Sequence, residues 1–158
     1  MRLRPAVFIL LAAAACSRRD GLVSYRDPDG LFSVEVPGLW RVLGADGARR
    51  AAFFAPDSSS ITVLFYAKGS AQESDPYAFA VAHRGSGKPL GPIQETAAAG
   101  GKVLRYALRL EERGGGVREE TAVLAEDKGL LVVLGDAPEP NAAAALPGFE
   151  RFLSSLKP

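Results

Sequence analysis

Apolar and polar side chains alternate along two neighbouring segments in the second half of the chain. Between 104 and 110 every second residue is apolar, and the same period returns between 117 and 125. A period of two is typical of half-buried β-strands, and the glycine triplet at 114–116 predicts a turn between them. The segment 130–134 is wholly apolar, which favours a central strand covered on both faces. The pattern therefore predicts a β-meander in which strands 102–112 and 117–126 precede the central strand.

Shorter runs of the same kind predict further strands upstream. Turns that contain polar residues, glycine or proline separate these runs and set their ends. The run at 60–67 is apolar on both faces, so we expect both of its sides to be covered. The upstream strands are predicted at 31–36, 40–43, 50–55, 60–67 and 93–99.

A first helix is predicted to begin at Asp75 and Pro76. Aspartate is a favoured helix N-cap, and proline is favoured in the first helical turn. The helix should run through 77–83 and end at Gly85, which we expect in a left-handed conformation.

A second helix is predicted at the C-terminus, where four apolar residues follow helical spacing and so form one stripe. Pro147 is expected to start this helix, and Asn141 to cap a short alanine turn before it. The stripe consists of Phe149, Phe152, Leu153 and Leu156.

The hairpin of the meander can be given a register. If residues 113–116 form the loop, the numbers of paired residues sum to about 229. Glu111 then faces Arg118, and Arg109 faces Glu120, so opposite charges meet across the strands. A slip by one residue would mix apolar and charged positions on each face.

The N-terminus is typical of a secretory signal segment. Two arginines precede an unbroken apolar run of ten residues at 6–15, which is shorter than the ~20 residues that a membrane-spanning helix needs. The last three residues of this run, Ala13, Ala14 and Ala15, directly precede Cys16, the only cysteine of the chain. This arrangement resembles the lipobox of bacterial lipoproteins, with alanine in place of the usual leucine at its first position.

The lipobox resemblance implies cleavage between Ala15 and Cys16, a diacylglycerol thioether on Cys16, and acylation of the new amino group by a fatty acid such as palmitate. Ordinary cleavage that leaves a free thiol is the alternative. In Gram-negative bacteria, an aspartate directly after the lipidated cysteine retains a lipoprotein in the inner membrane. This chain has Ser17 at that position, so the outer membrane is favoured. We expect a signal peptide at 1–15, a polar tether at 16–24 and one domain at 25–158.

Size and charge narrow the classes of function. The 158 residues suffice for one domain. The net charge is +1 and falls to −1 when the signal segment with its two arginines is removed. Without a basic run, nucleic-acid binding is not expected. One cysteine and one histidine leave no cluster of soft metal ligands, so neither a metal site nor a cofactor is predicted.

Three segments in this order resemble the PsbP-like superfamily, which includes photosystem II extrinsic proteins and bacterial DcrB-like lipoproteins. They are Tyr25 with FSVEVP at 32–37 and Trp40, a capped helix after the first strands, and the closing FERFLSSLK at 149–157. The resemblance implies an α+β fold: an antiparallel sheet, here of about six strands, with helices packed on both faces. It also implies a binding or assembly factor and no enzyme.

Candidate chemistry is sparse. His83 is the only imidazole, and we interpret it as a helix-end residue because no nucleophile accompanies it in sequence. The acidic residues of the hairpin at 111–127 alternate with arginines and predict charge pairs on a solvated ribbon. The acidic residues Asp27 and Asp29 lack the spacing of a calcium loop and are read as a turn.

The sequence therefore predicts a non-catalytic envelope lipoprotein on the periplasmic face, anchored in the membrane by lipid and binding an unknown protein partner. Trp40, Tyr66 and Tyr106 are the candidate contacts with a ligand or partner. One alternative is a small-ligand carrier with a pocket between sheet and helix, lined by these aromatics or Phe65. The other is an envelope hydrolase.

Overall fold

The computed structural model describes residues 21–70 and 75–158. The predicted signal segment, cleavage after Ala15 and lipidation of Cys16 lie outside these residues. The described part contains ten strands and two helices. The strands are β1 (Leu22–Arg26), β2 (Ser33–Pro37), β3 (Arg41–Leu43), β4 (Arg49–Phe54), β5 (Ser60–Ala67), β6 (Lys88–Pro89), β7 (Gln94–Ala98), β8 (Gly101–Glu112), β9 (Gly115–Glu126) and β10 (Gly129–Pro138). The helices are α1 (Pro76–Arg84) and α2 (Ala142–Ser155), the latter preceded by a 3-10 turn at Glu139–Asn141.

Eight strands form one antiparallel sheet in the order β3-β4-β5-β10-β9-β8-β6, and β7 also pairs with β8. Strands β1 and β2 form a separate two-stranded sheet. The expectation of about six strands was too low. The edge beside β8 is divided between β6 and β7, where proline at positions 89 and 92 cannot donate a ladder hydrogen bond. Strand β1, the first strand of the described residues, begins at Leu22, within the segment 16–24 that was predicted as a polar tether.

The main sheet is covered on both faces, as the resemblance implied, with one helix on each. Helix α2 and the β1–β2 sheet cover one face, and helix α1 covers the other. A hydrophobic core lies on each face of the sheet, and the side chains of β10 alternate between the two cores. Leu131 and Val133 face α2, whereas Leu130 and Val132 face α1. All four are at most 3% exposed, which confirms β10 as a central strand.

Helix α1 begins as predicted. The Asp75 carboxylate accepts hydrogen bonds from the backbone N–H groups of Tyr77 and Ala78 at 2.9 and 3.0 Å, the usual N-cap geometry. The prediction that Gly85 adopts a left-handed conformation is wrong. Gly85 is right-handed, with φ −69°, and its N–H donates to the carbonyl of Ala82.

Helix α2 begins earlier than predicted. Pro147 lies inside it, and Asn141 makes no capping hydrogen bond; its side-chain amide instead donates to the carbonyl of Asp57 at 3.1 Å. The alanine run at 142–145 has high helix propensity, so it joins the helix instead of forming a separate turn. The predicted apolar stripe is confirmed, with each member at most 4% exposed: Phe149, Phe152, Leu153 and Leu156.

The predicted hairpin register is wrong by two residues. The pairs of β8 and β9 sum to 227, with Glu112 opposite Gly115 and Arg109 opposite Arg118. The turn needs only residues 113 and 114, because Gly115 takes φ 125°, a conformation that glycine adopts at little cost. An even shift keeps every side chain on its predicted face.

The predicted cross-strand charge pairs are therefore absent from the described hairpin. The Arg118 Nε donates along its own strand to Glu120 at 2.7 Å. The Arg109 guanidinium lies 3.0 Å from Glu111 and 3.1 Å from Glu139. The arginines that face each other across β8 and β9 are each neutralised by their own carboxylates.

Candidate functional site

An open groove of about 350 Å³ lies on the face covered by α2, beside the edge formed by β6 and β7. Arg105 of β8 and Glu120 of β9 form part of its floor, and Leu146 and Glu150 of α2 form one wall. The loop at 90–92 and Gln94 close the opposite side.

Two ion pairs set the electrostatics of the groove. Arg105 binds Glu150 through two hydrogen bonds, at 2.9 and 2.6 Å, and its guanidinium lies 5.6 Å from the ring centroid of Phe149. Arg118 forms the second pair with Glu120, at 2.6 and 2.7 Å. Because each guanidinium already binds a carboxylate, the groove combines fixed charges of both signs with apolar walls. Such a lining suits a polypeptide better than an anionic ligand.

A second cavity adjoins the groove between Trp40, the sheet and the first turns of α2. Its volume is only about 20 Å³, room for about one water molecule. Small-molecule pockets usually enclose roughly 300–1,000 Å³. The enclosed space between sheet and helix at Trp40 is thus too small for the predicted carrier pocket.

The predicted contact residues do not form one site. Trp40 is half-buried on the α2 face, where its ring lies against Gly148. Tyr66 and Tyr106 point to the other face, under α1. Tyr66 packs against Phe79 with ring centroids 5.5 Å apart.

Tyr106 belongs to a polar cluster under α1. Its hydroxyl lies 2.8 Å from Nδ1 of His83, and the His83 Nε2 lies 3.7 Å from the carboxylate of Glu119. The Thr121 hydroxyl donates to the same carboxylate at 3.1 Å. His83 also stacks on Phe79. The imidazole therefore contacts a tyrosine and a carboxylate among the described residues, and a serine is not part of this cluster.

Burial governs the titration of the cluster. It lowers the pKa of His83 and so favours the neutral imidazole. It raises the pKa values of Glu119 and Tyr106. Burial, and then the charges of Glu119 and Glu112, raise the pKa of Asp136 to about 7. Asp136 lies directly opposite Glu119 on the neighbouring strand.

The sequence interpretation missed this acidic pair, since it assigned Glu119 to a solvated ribbon. Glu119 is only 5% exposed. The period-two pattern does indicate which face of the strand Glu119 takes, because it places Glu119 on the same face as Thr121 and Val123. Burial followed only from the position of α1, which the pattern of one strand does not encode.

The turn at 27–30 is confirmed as a structural feature. The buried Asp27 carboxylate accepts hydrogen bonds from the N–H groups of Asp29 and Leu31. It also binds the Arg50 guanidinium at 3.1 Å, and Arg50 contacts Asp29 as well. Its oxygens are thus engaged by donors of the protein itself.

Metal-binding clusters and membrane-spanning helices are both absent from the part of the chain that the structure describes. No cluster of three or more histidine, cysteine, aspartate or glutamate side chains there has the geometry to hold a metal ion. None of the helices in residues 21–70 and 75–158 is long and apolar enough to cross a membrane.

Comparison by sequence finds neither a matching protein-family model nor a matching curated protein. Comparison by structure finds similar folds. The cyanobacterial PsbP protein CyanoP of Synechocystis matches with a TM-score of 0.63 and 13% identity over 92% of this chain and 97% of its own. LpqN of Mycobacterium tuberculosis, described as involved in cell envelope biogenesis, matches with a TM-score of 0.59 and 12% identity, covering 87% and 90%.

A protein of Bacteroides thetaiotaomicron matches with a TM-score of 0.65 and 12% identity over 87% of this chain. The chain spans about half of that protein, 48% of its length. At these identities the likeness concerns the fold alone. The protein has a PsbP-like fold, an α+β architecture built on a mostly antiparallel sheet.

Proposed function

We propose that this protein is a non-catalytic binding or assembly factor of the cell envelope. It is held on the periplasmic face, with the outer membrane favoured, by lipid on Cys16, and it binds a partner protein in the groove beside α2. The N-terminal sequence supports the anchor. The description of LpqN as an envelope-biogenesis protein agrees with this compartment.

The observation that carries the proposal is the groove itself. It is open along α2, contains about 350 Å³, and combines two neutralised ion pairs with apolar walls. Protein interfaces commonly join apolar contacts to paired polar groups in this way. The cavity of about 20 Å³ at Trp40 is too small for a small-molecule ligand. Among the described residues, the Ser86 hydroxyl donates to the His83 backbone carbonyl and not to its imidazole.

Crosslinking in intact envelopes, followed by purification of the protein, tests the proposal. We compare the wild type with Leu90→Asp and Gln94→Arg, which alter two exposed side chains of the groove. Val81→Asp is the matched control, because Val81 is 53% exposed, against 44% for Leu90, and lies on α1, across the sheet.

We expect one discrete crosslinked protein with the wild type and the control, and its loss with both groove variants. A partner that is retained by the groove variants but lost with Val81→Asp would place binding on the wrong face. A wild-type protein that yields no discrete adduct would contradict the proposal.

A further inference from the structure

Exposed leucines surround the point where the described chain begins. Gly38 donates a backbone hydrogen bond to the carbonyl of Gly21, the first described residue, at 2.9 Å. Leu22 pairs with Pro37 across β1 and β2, and Leu39 follows at the tip of the turn that Trp40 closes by donating to the Pro37 carbonyl. Leu22 and Leu39 are 52% and 58% exposed. We call these two leucines, with Pro37 and Trp40, the N-terminal patch.

The covalent distance to Cys16 restricts where this patch can lie. Five peptide units join Cys16 to Gly21, and they reach at most about 18 Å. Seven strands side by side make the main sheet about 30 Å wide. If Cys16 carries the anchor, the end of the domain next to Gly21 stays within about 18 Å of the bilayer, a distance shorter than the width of the main sheet.

The chemistry of the N-terminal patch matches a bilayer surface. Tryptophan is enriched at membrane–water interfaces, and leucine favours the acyl boundary. Arg41 follows Trp40 and is exposed, and Arg151 of α2 lies with Trp40 around a shallow cavity of about 30 Å³. Glu35 is the acidic residue on that cavity, whereas the Arg41 guanidinium lies over the Phe54 ring. Arginine side chains suit the phosphate groups of lipids.

We infer that the N-terminal patch docks the domain onto the bilayer that carries the anchor, with Leu39 and Leu22 entering the acyl boundary and Trp40 at the headgroup level. This inference rests on the proposed lipid anchor. Docking fixes the orientation of the domain. The groove beside α2 would then be held at a constant angle to the membrane for a partner.

The single tryptophan of the chain makes docking measurable, because all tryptophan emission comes from Trp40. The lipidated full chain is reconstituted into vesicles of phosphatidylethanolamine and phosphatidylglycerol, either plain or brominated on the acyl chains. Bromine quenches indole on close contact. We expect Trp40 emission to fall in brominated vesicles, whereas a domain that is merely tethered would keep its emission.

Two variants and one control keep the test specific. Leu39→Asp and Leu22→Asp each remove a leucine from the acyl boundary, so the ratio of docked to undocked domain should drop at least about tenfold. Quenching should then disappear while the protein still floats with the vesicles. Val81→Asp has a similar exposure on the opposite face and should leave quenching unchanged.

The outcomes are distinct. Wild-type protein that floats with the vesicles but shows no quenching overturns docking and leaves the anchor intact. Protein that neither floats nor carries lipid refutes the anchor, and docking fails with it. If Leu39→Asp abolishes self-association or a protein adduct without any quenching in the wild type, the patch binds protein, and the membrane assignment is wrong.

Discussion

Replacement of Asp136 by asparagine should remove a pH-dependent loss of stability. Asp136 lies on β10 between Glu119 on β9 and Ser60 on β5. Its Oδ1 is buried and has no hydrogen-bond partner within the described part of the chain. Burial, and then the neighbouring Glu119 and Glu112, raise its pKa from 3.8 to about 7.

Proton linkage gives the direction in which the stability of the fold changes with pH. The folded state keeps the Asp136 proton to about pH 7, whereas the unfolded chain loses it near pH 4. Protonated Asp136 therefore stabilises the fold below pH 4, and this contribution is lost as the pH rises through 7. The pKa of Asp136 rises from 3.8 to about 7 on folding, and this difference corresponds to roughly 4 kcal/mol in the free energy of unfolding.

The assay is urea unfolding followed by Trp40 fluorescence, at about pH 4 and about pH 8. Asparagine has nearly the shape of the protonated acid but does not ionise. Asp136→Asn should match the wild type near pH 4 and exceed it by up to roughly 4 kcal/mol near pH 8. Asp127→Asn, an exposed acid in the β9–β10 turn, is the control and should show no such divergence. An equal difference at both pH values would refute the reasoning.

Three further predictions address the helices and the N-terminus. Phe152→Ala, which removes a 2% exposed ring lying 5.2 Å from Phe53, should cost about 3–5 kcal/mol in urea unfolding; a midpoint equal to that of Ser154→Ala would mean that α2 does not pack on the sheet. Asp75→Ala should cost about 1 kcal/mol through loss of the N-cap, and unchanged stability would argue against this capping. Cys16→Ser should lose lipid labelling and leave the membrane fraction; a labelled, membrane-bound variant would exclude the anchor.

The sequence predicted elements best where local chemistry marks both ends. Strand β5 has the predicted bounds, since polar turns flank it, and α1 starts at its predicted cap. The register failed because three consecutive glycines permit several loop lengths, and only the φ of Gly115 selects one. Strand β6 was missed because two residues carry no period.

The groove beside α2 was harder to predict than the strands. Arg105 and Glu150 lie 45 residues apart and meet only because α2 packs back over β10 and β9, which brings Glu150 within reach of β8. Neither the sequence separation of these two residues nor their types indicate that contact. The sequence names Trp40, Tyr66 and Tyr106 as candidate contacts but does not show which face of the sheet each one takes; Trp40 lies on the α2 face, and the two tyrosines pack under α1.

Site-specific photocrosslinking in living cells tests whether the groove beside α2 binds a partner protein. A photoreactive residue is placed at position 94 in the groove, or at position 81 on α1, in the full chain. We expect one discrete protein adduct from position 94 and none from position 81. An adduct from position 81 alone, or no protein adduct from position 94, would contradict a partner-binding function of the groove.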